Sequence, residues 1–141
     1  MKNQYVSWLA VVLGIGLALG LASCSQEPGR SLSDVFDNVD LQKNTKLHVE
    51  EYWKTVNGQE YKAAGRVVDV RRDRGGAEVF VAVKSRMTFR DYNVVLEVPD
   101  VSQAADLKRR QDIRFRGVLS NYRSDRDGGS ILTLKGAEIL K

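Results

Sequence analysis

Cysteine and histidine are almost missing from this chain of 141 residues, which holds one of each, Cys24 and His48. A single cysteine excludes an internal disulfide and leaves no thiolate cluster for a metal. A single histidine leaves multi-imidazole metal sites and Ser-His-Asp catalysis without their parts. The sequence also has no nucleophile elbow, no phosphate-binding loop and no zinc-ligand spacing. Its adjacent carboxylates, Glu50 and Glu51, fall on two sides of a helical stretch and read as solvated surface, with His48 beside them. No enzyme activity and no cofactor are therefore expected. Charge of one sign is lacking too. The chain has 22 Lys+Arg against 18 Asp+Glu, a formal net charge of +4, which is too weak to argue for nucleic acid by itself.

What the sequence does have starts at its beginning. Residues 1–4 are polar with one lysine, residues 8–19 are apolar apart from Gly14 and Gly16, and Leu21-Ala22-Ser23-Cys24 follows. A positive start, an apolar run and a small-residue site make a secretory signal. Tyr5 to Ala22 approaches the ~18–20 residues a bilayer needs. Its centre is glycine-rich, however, and no basic cluster closes its far end to stop transfer. The order Leu-Ala-Ser-Cys resembles the bacterial lipobox. That resemblance implies removal of residues 1–23, lipidation of the Cys24 sulfur by palmitate-like acyl chains, and anchoring in a membrane through that residue. Ser25 after the cysteine, in place of aspartate, implies an outer-membrane address facing the periplasm in an organism with two membranes. The remaining 118 residues (141 less 23) suit one compact domain, and losing Lys2 lowers the net charge from +4 to +3.

Residues 24–31, with Pro28 and Gly29, have no periodicity and read as a lipid-anchored tether. Segment 32–58 then carries two apolar stripes at i, i+3, i+4 and i+7: Leu32, Val35, Phe36, Val39, and Val49, Tyr52, Trp53, Val56. Ser31 and Asp34 have capping-box spacing, and Asn57-Gly58 is placed to end the second stripe. Two short helices, or one broken near Asn44, are expected to pack on a body built from 59–141.

In that body the period changes to 2. Strands are expected over 61–70, 77–85, 91–98, 112–122 and 130–140, with one helix over 101–110 between the third and fourth. The 61–70 run contains Gly65, and a glycine inside a strand often marks a bulge or a sharp bend. Five strands with a helix between the third and fourth give the connectivity of the OB-fold, a small Greek-key barrel in a mainly β domain. Its core would be Val67, Val79, Val81, Val94, Leu96, Ile113, Phe115, Leu119, Leu132 and Leu134. Lys108-Arg109-Arg110 would complement the dipole at the helix C-terminus.

Gly65-Arg66-Val67, Gly117-Val118-Leu119 and the closing Leu-x-Leu-x-Gly-Ala-x-Ile of 132–139 carry a further likeness. Over about 47–140 the chain resembles the bacterial OB-fold lipoproteins grouped as tRNA-anticodon-binding-like, with a departure in spacing near Asp91. The resemblance implies an OB barrel on a lipid anchor and records shape, not anticodon binding.

OB barrels bind on the face of strands two and three, flanked by the first and last hairpin loops. Both loops are rich in arginine here: Arg71, Arg72 and Arg74 in the first, Arg123 and Arg126 in the last. They could rim a site for an anionic envelope polymer or a lipid headgroup. Asp69, Asp73, Asp125 and Asp127 stand close enough to pair with them locally, and exposed pairs of that kind contribute little. Phe80, opposite Val79, Val81 and Val83, is either a stacking platform for a single strand or packs under the helices against Trp53 or Tyr52. The latter is expected, and nucleic acid is not the expected partner of an exported chain. The sequence thus reads as a non-enzymatic, membrane-anchored binding module of the cell envelope. The alternative is an envelope scaffold, structural or stress-related, for a protein partner.

Overall fold

The computed structural model describes residues 31–83, 91–125 and 129–141. Residues 1–30 with the signal and Cys24, the end of the second expected strand with the residues that follow it (84–90), and Arg126 with Asp127 lie outside the described residues. The elements are α1 (Leu32–Val39), α2 (Lys46–Val56), β1 (Glu60–Asp73), β2 (Gly76–Ala82), β3 (Val94–Val98), α3 (Val101–Ala105), β4 (Asp112–Asp125) and β5 (Gly129–Leu140). The strands close into a barrel in the order β1-β2-β3-β5-β4. All neighbours are antiparallel except β3 and β5, which run parallel from Val94 opposite Leu132 to Leu96 opposite Leu134. This is the OB topology, with the helix between β3 and β4 where the chain order placed it. Among the described residues no helix is long and apolar enough to cross a membrane.

Alternation along each strand fills the barrel. All ten of the expected core residues are buried, and Phe115, Leu96, Leu119, Leu132 and Leu134 are the largest side chains shut off completely. The helices add Leu32, Val35, Phe36, Val39, Val49 and Val56 to that core. Local chemistry sets their ends. Ser31 and Asp34 form the reciprocal capping box of α1. Thr45 caps α2, whose last turn stops at Asn57 before Gly58 at φ +82°. Between the helices, Leu41 N–H donates to Ser124 Oγ at 3.3 Å, which ties the helical pair to the β4–β5 hairpin.

Three sequence expectations change. The strand glycine Gly65 does not carry the bulge. The register of β1 against β2 shifts between Val67 and Asp69, while Gly65 lies where a Cβ would come 2.4 Å from the Val81 Cγ1 methyl. Close approach of two strands is what requires glycine there. The hairpins are also longer than expected: β1 runs through Arg71 and Arg72, and β4 runs through Arg123, so these arginines stand on strands rather than in turns. Finally α3 ends at Ala105, not at 110, so Lys108, Arg109 and Arg110 do not sit on a helix terminus. Tertiary pairing stops that helix. Arg110 N–H donates to Val67 O at 2.7 Å, and Val67 N–H donates to Gln111 O at 2.8 Å.

Asn93 is a structural residue that periodicity does not show. It is buried, and its side chain pairs with both backbone groups of Val83, Oδ1 accepting from the N–H at 2.8 Å and Nδ2 donating to the C=O at 2.9 Å. Its own backbone meets Val81 O and Leu132 N–H, so one residue joins β2, β3 and β5. Asn93→Ala is expected to cost ~1–3 kcal/mol, the usual penalty for stranding buried hydrogen-bonding groups. Asn93→Asp should cost more at neutral pH, where a carboxylate would face the Val83 carbonyl. It should recover as the pH falls and a protonated carboxyl can donate there again. Urea unfolding across pH checks both.

Candidate anion-binding face

β1 and β2 pair with Val70 opposite Val79 and Asp69 opposite Phe80. Because successive side chains alternate, Val70 and Val79 face the core while Asp69, Arg71, Glu78 and Phe80 line the outer surface. The bulge in β1 sets this row, since the extra residue brings Asp69 level with Phe80.

Phe80 is only 7% exposed although it is on the outside. The Arg71 guanidinium lies 4.8 Å from its ring centroid, and Tyr92 meets it edge-on at 4.8 Å between ring centroids. The expected packing of Phe80 under the helices is therefore wrong. Trp53 instead packs on Tyr122, at 4.6 Å between ring centroids, and Tyr52 stacks on His48. The reason is geometric: Phe80 is outward on β2, whereas α2 runs directly into β1 and is joined to β4 by the Gly58 N–H bond to Leu119 O.

Arg71 is fixed on two sides. Besides covering Phe80, its Nε donates to Asp69 Oδ2 at 3.1 Å. The other carboxylate oxygen, Oδ1, accepts from Arg109 Nη2 at 3.3 Å. The hydrogen bond from Arg71 holds the Asp69 carboxyl below the usual carboxylate range, with help from the Val70 N–H and from Arg109, and against partial burial. One carboxylate thus serves two guanidiniums.

Local pairing accounts for Arg71 but not for its neighbours. Arg72 and Arg74 are exposed, and neither makes an ion pair among the described residues. Arg123 is exposed on β4 opposite Ile131. No hydrogen bond, ion pair or ring contact among the described residues links it to Arg71 or Phe80. The structure therefore gathers Arg71 and Phe80 on one face; Arg72, on the alternate side of β1, and Arg74, in the turn, share only the hairpin with them, and Arg123 stands apart on β4 with no contact to either among the described residues. Arg109 was missed as a member of this face. The one sequence signal was Asp106, a poor residue for a helix C-terminus, which hints that the basic run lies beyond the helix end.

Beside the first half of β1, one cation of that strand and one of β4 are neutralised. Arg66 pairs with Asp112 at 2.9 Å, and Arg116 pairs with Glu138 at 2.6 Å. Each hydrogen bond raises the already high guanidinium pKa further. Next to this half, a groove of about 730 Å³ runs between Ser31, Leu32, Lys62, Gly65, Val83 and Ile113, and none of the candidate arginines lines it. His48 is exposed and held by Asn38 Oδ1 at 3.1 Å, as suits a surface residue.

Fold and face together define an OB-type barrel with a cationic outer hairpin. A solved structure of a lipoprotein from Klebsiella pneumoniae subsp. pneumoniae, whose name offers nucleic acid binding as a conjecture, shares the architecture. Its TM-score is 0.50 at 16% sequence identity, over 79% of this chain and 89% of that one. At that identity the likeness speaks for the fold. No protein-family model matches the sequence, and no curated protein does.

Proposed function

We propose that this chain is a lipid-anchored, non-enzymatic binding module of the bacterial envelope that holds an anionic ligand on the outer face of β1 and β2. The observation that carries the reading is the Arg71 guanidinium fixed over Phe80, with Arg72 and Arg74 beyond it free of ion pairs among the described residues. Preorganised guanidiniums bind phosphate and carboxylate at low entropic cost. The lipobox-like Leu21-Ala22-Ser23-Cys24 supports the anchor, as does the fold shared with a lipoprotein. The likeness to the OB-fold lipoproteins points the same way.

The neighbour's name raises nucleic acid as a second reading, and the Phe80–Tyr92 pair beside Arg71 is the local feature on its side. Stacking of bases requires an open ring face, however. Phe80 is covered by Arg71 and Tyr92, so recognition here rests on charge.

The test is a titration of the full chain, in neutral detergent, with a short oligothymidylate at several salt concentrations. Replacing Arg71, Arg72 and Arg74 together by glutamine is expected to flatten the log-log salt slope by about 2, at about 0.7 for each phosphate no longer neutralised. A slope that the triple change leaves unaltered would remove this face as the site, and no binding at all would leave the reading of the barrel as a scaffold for a protein partner.

A further inference from the structure

The cations of the 108–110 turn lie against β1, on the side away from β2. Arg109 reaches Asp69 across the strand, and Arg110 is hydrogen-bonded through its backbone to Val67. They therefore continue the Arg71 row in the direction opposite to the β4–β5 hairpin. From Asp69 to Asp73 the strand advances about 13 Å at about 3.3 Å per residue. Lys108, Arg109 and Arg110 extend that line sideways.

Arg110 adds a second, independent observation. It is the one non-glycine residue with positive φ among the described residues, at +68°. L-residues with a Cβ are disfavoured there, and glycine would relieve the strain. Its backbone N–H needs only a peptide group to reach Val67, so the turn itself does not require arginine. What an arginine contributes at this position is an exposed guanidinium beside the one on Arg109.

Resting on the binding module proposed above, we infer that its ligand is a linear phosphate-bearing polymer. It lies along the second half of β1 and crosses to the α3–β4 turn, gripped by Arg71, Arg109 and Arg110, with Arg72 and Arg74 at the hairpin end. A polymer fits better than a bilayer because Arg71 and Arg109 meet on one carboxylate, Asp69, and Arg110 follows directly, a row across one strand and not a broad patch. The carboxylates of the same stretch (Asp69, Asp73, Glu78 and Asp106) leave only a small positive excess. Binding should therefore be weak and steeply salt-dependent. The anchor agrees with this choice. Cys24 is seven residues before Ser31, a reach of at most ~25 Å. Ser31 opens onto the groove beside the first half of β1, not onto the track.

The experiment titrates the full chain in neutral detergent with oligothymidylate and, separately, with inorganic polyphosphate. Arg109→Gln with Arg110→Gln is expected to flatten the salt slope by about 1.4, two phosphates at about 0.7 each. Arg123→Gln should leave it unchanged. Arg110→Gly should weaken binding while holding or raising the thermal midpoint, a split that a purely structural arginine cannot produce. Equal flattening with both probes identifies the phosphate chain as the feature recognised; a larger response with oligothymidylate identifies a nucleic acid as its source. If the Arg71, Arg72 and Arg74 changes weaken binding and the Arg109 and Arg110 changes do not, the track is wrong and the binding module stands. If neither polymer binds, the track and the module's ligand class both fall.

Discussion

Phe115→Ala should lower the stability of the barrel by ~3–5 kcal/mol, the range for emptying a buried aromatic site. Phe115 is the largest completely buried side chain, and its strand is held on both flanks, opposite Ala63 on β1 and Ile139 on β5. Backbone hydrogen bonding to two neighbours leaves the cavity little room to collapse, which favours the upper part of that range. Domains of this size are stable by only ~5–15 kcal/mol, so the variant should be near its folding limit. The next residue sets the contrast. Arg116 points outward and pairs with Glu138, both side chains being more than 40% exposed. Pairs exposed to that extent contribute ~0–1 kcal/mol, so Arg116→Ala should change the urea midpoint little. Equal losses at the two positions would show that the inward row of β4 is misassigned.

Cys24→Ala is the second large effect, and it is all-or-none. Several acyl chains anchor a protein far more firmly than the marginal, reversible binding of a single one. The unmodified chain should therefore partition into a detergent phase after Triton X-114 separation. The alanine variant loses the only sulfur on which a lipid can be placed, since the chain has one cysteine. It should appear either unprocessed, with residues 1–23 still attached, or released into the aqueous phase. Metabolic labelling with a palmitate analogue reads the same event chemically. A Cys24→Ala protein that is trimmed, labelled and partitioned like the unmodified one would remove the lipoprotein reading. The barrel and its cationic face would be untouched by that result, because neither depends on the anchor.

The barrel interior was legible because period-2 alternation is a local property. Leu96, Phe115, Leu132 and Leu134 alternate with polar or half-exposed neighbours, and each has only one side on which it can leave water. The helical caps were legible for the same reason. Ser31 and Asp34 satisfy each other three residues apart, and the Asn57 N–H closes the last turn of α2 on Trp53 O. Strand ends were less legible, because a hairpin extends for as long as its partner does. Arg71, Arg72 and Arg123 look like turn residues by composition, yet each is held in a ladder by the strand opposite.

The chain's own order of residues thus determined five strands with a helix between the third and fourth, the ten inward residues of the barrel, and the presence of arginine in both hairpins. Tertiary structure alone decided what surrounds Arg71. The bulge between Val67 and Asp69 turned Asp69 and Arg71 onto the row of Phe80, and the pairing of Val67 with Arg110 and Gln111 cut α3 short and carried Arg109 to Asp69. The physical reason is separation along the chain. Asp69 and Arg109 are 40 residues apart, so no local pattern can report that one carboxylate holds two guanidiniums.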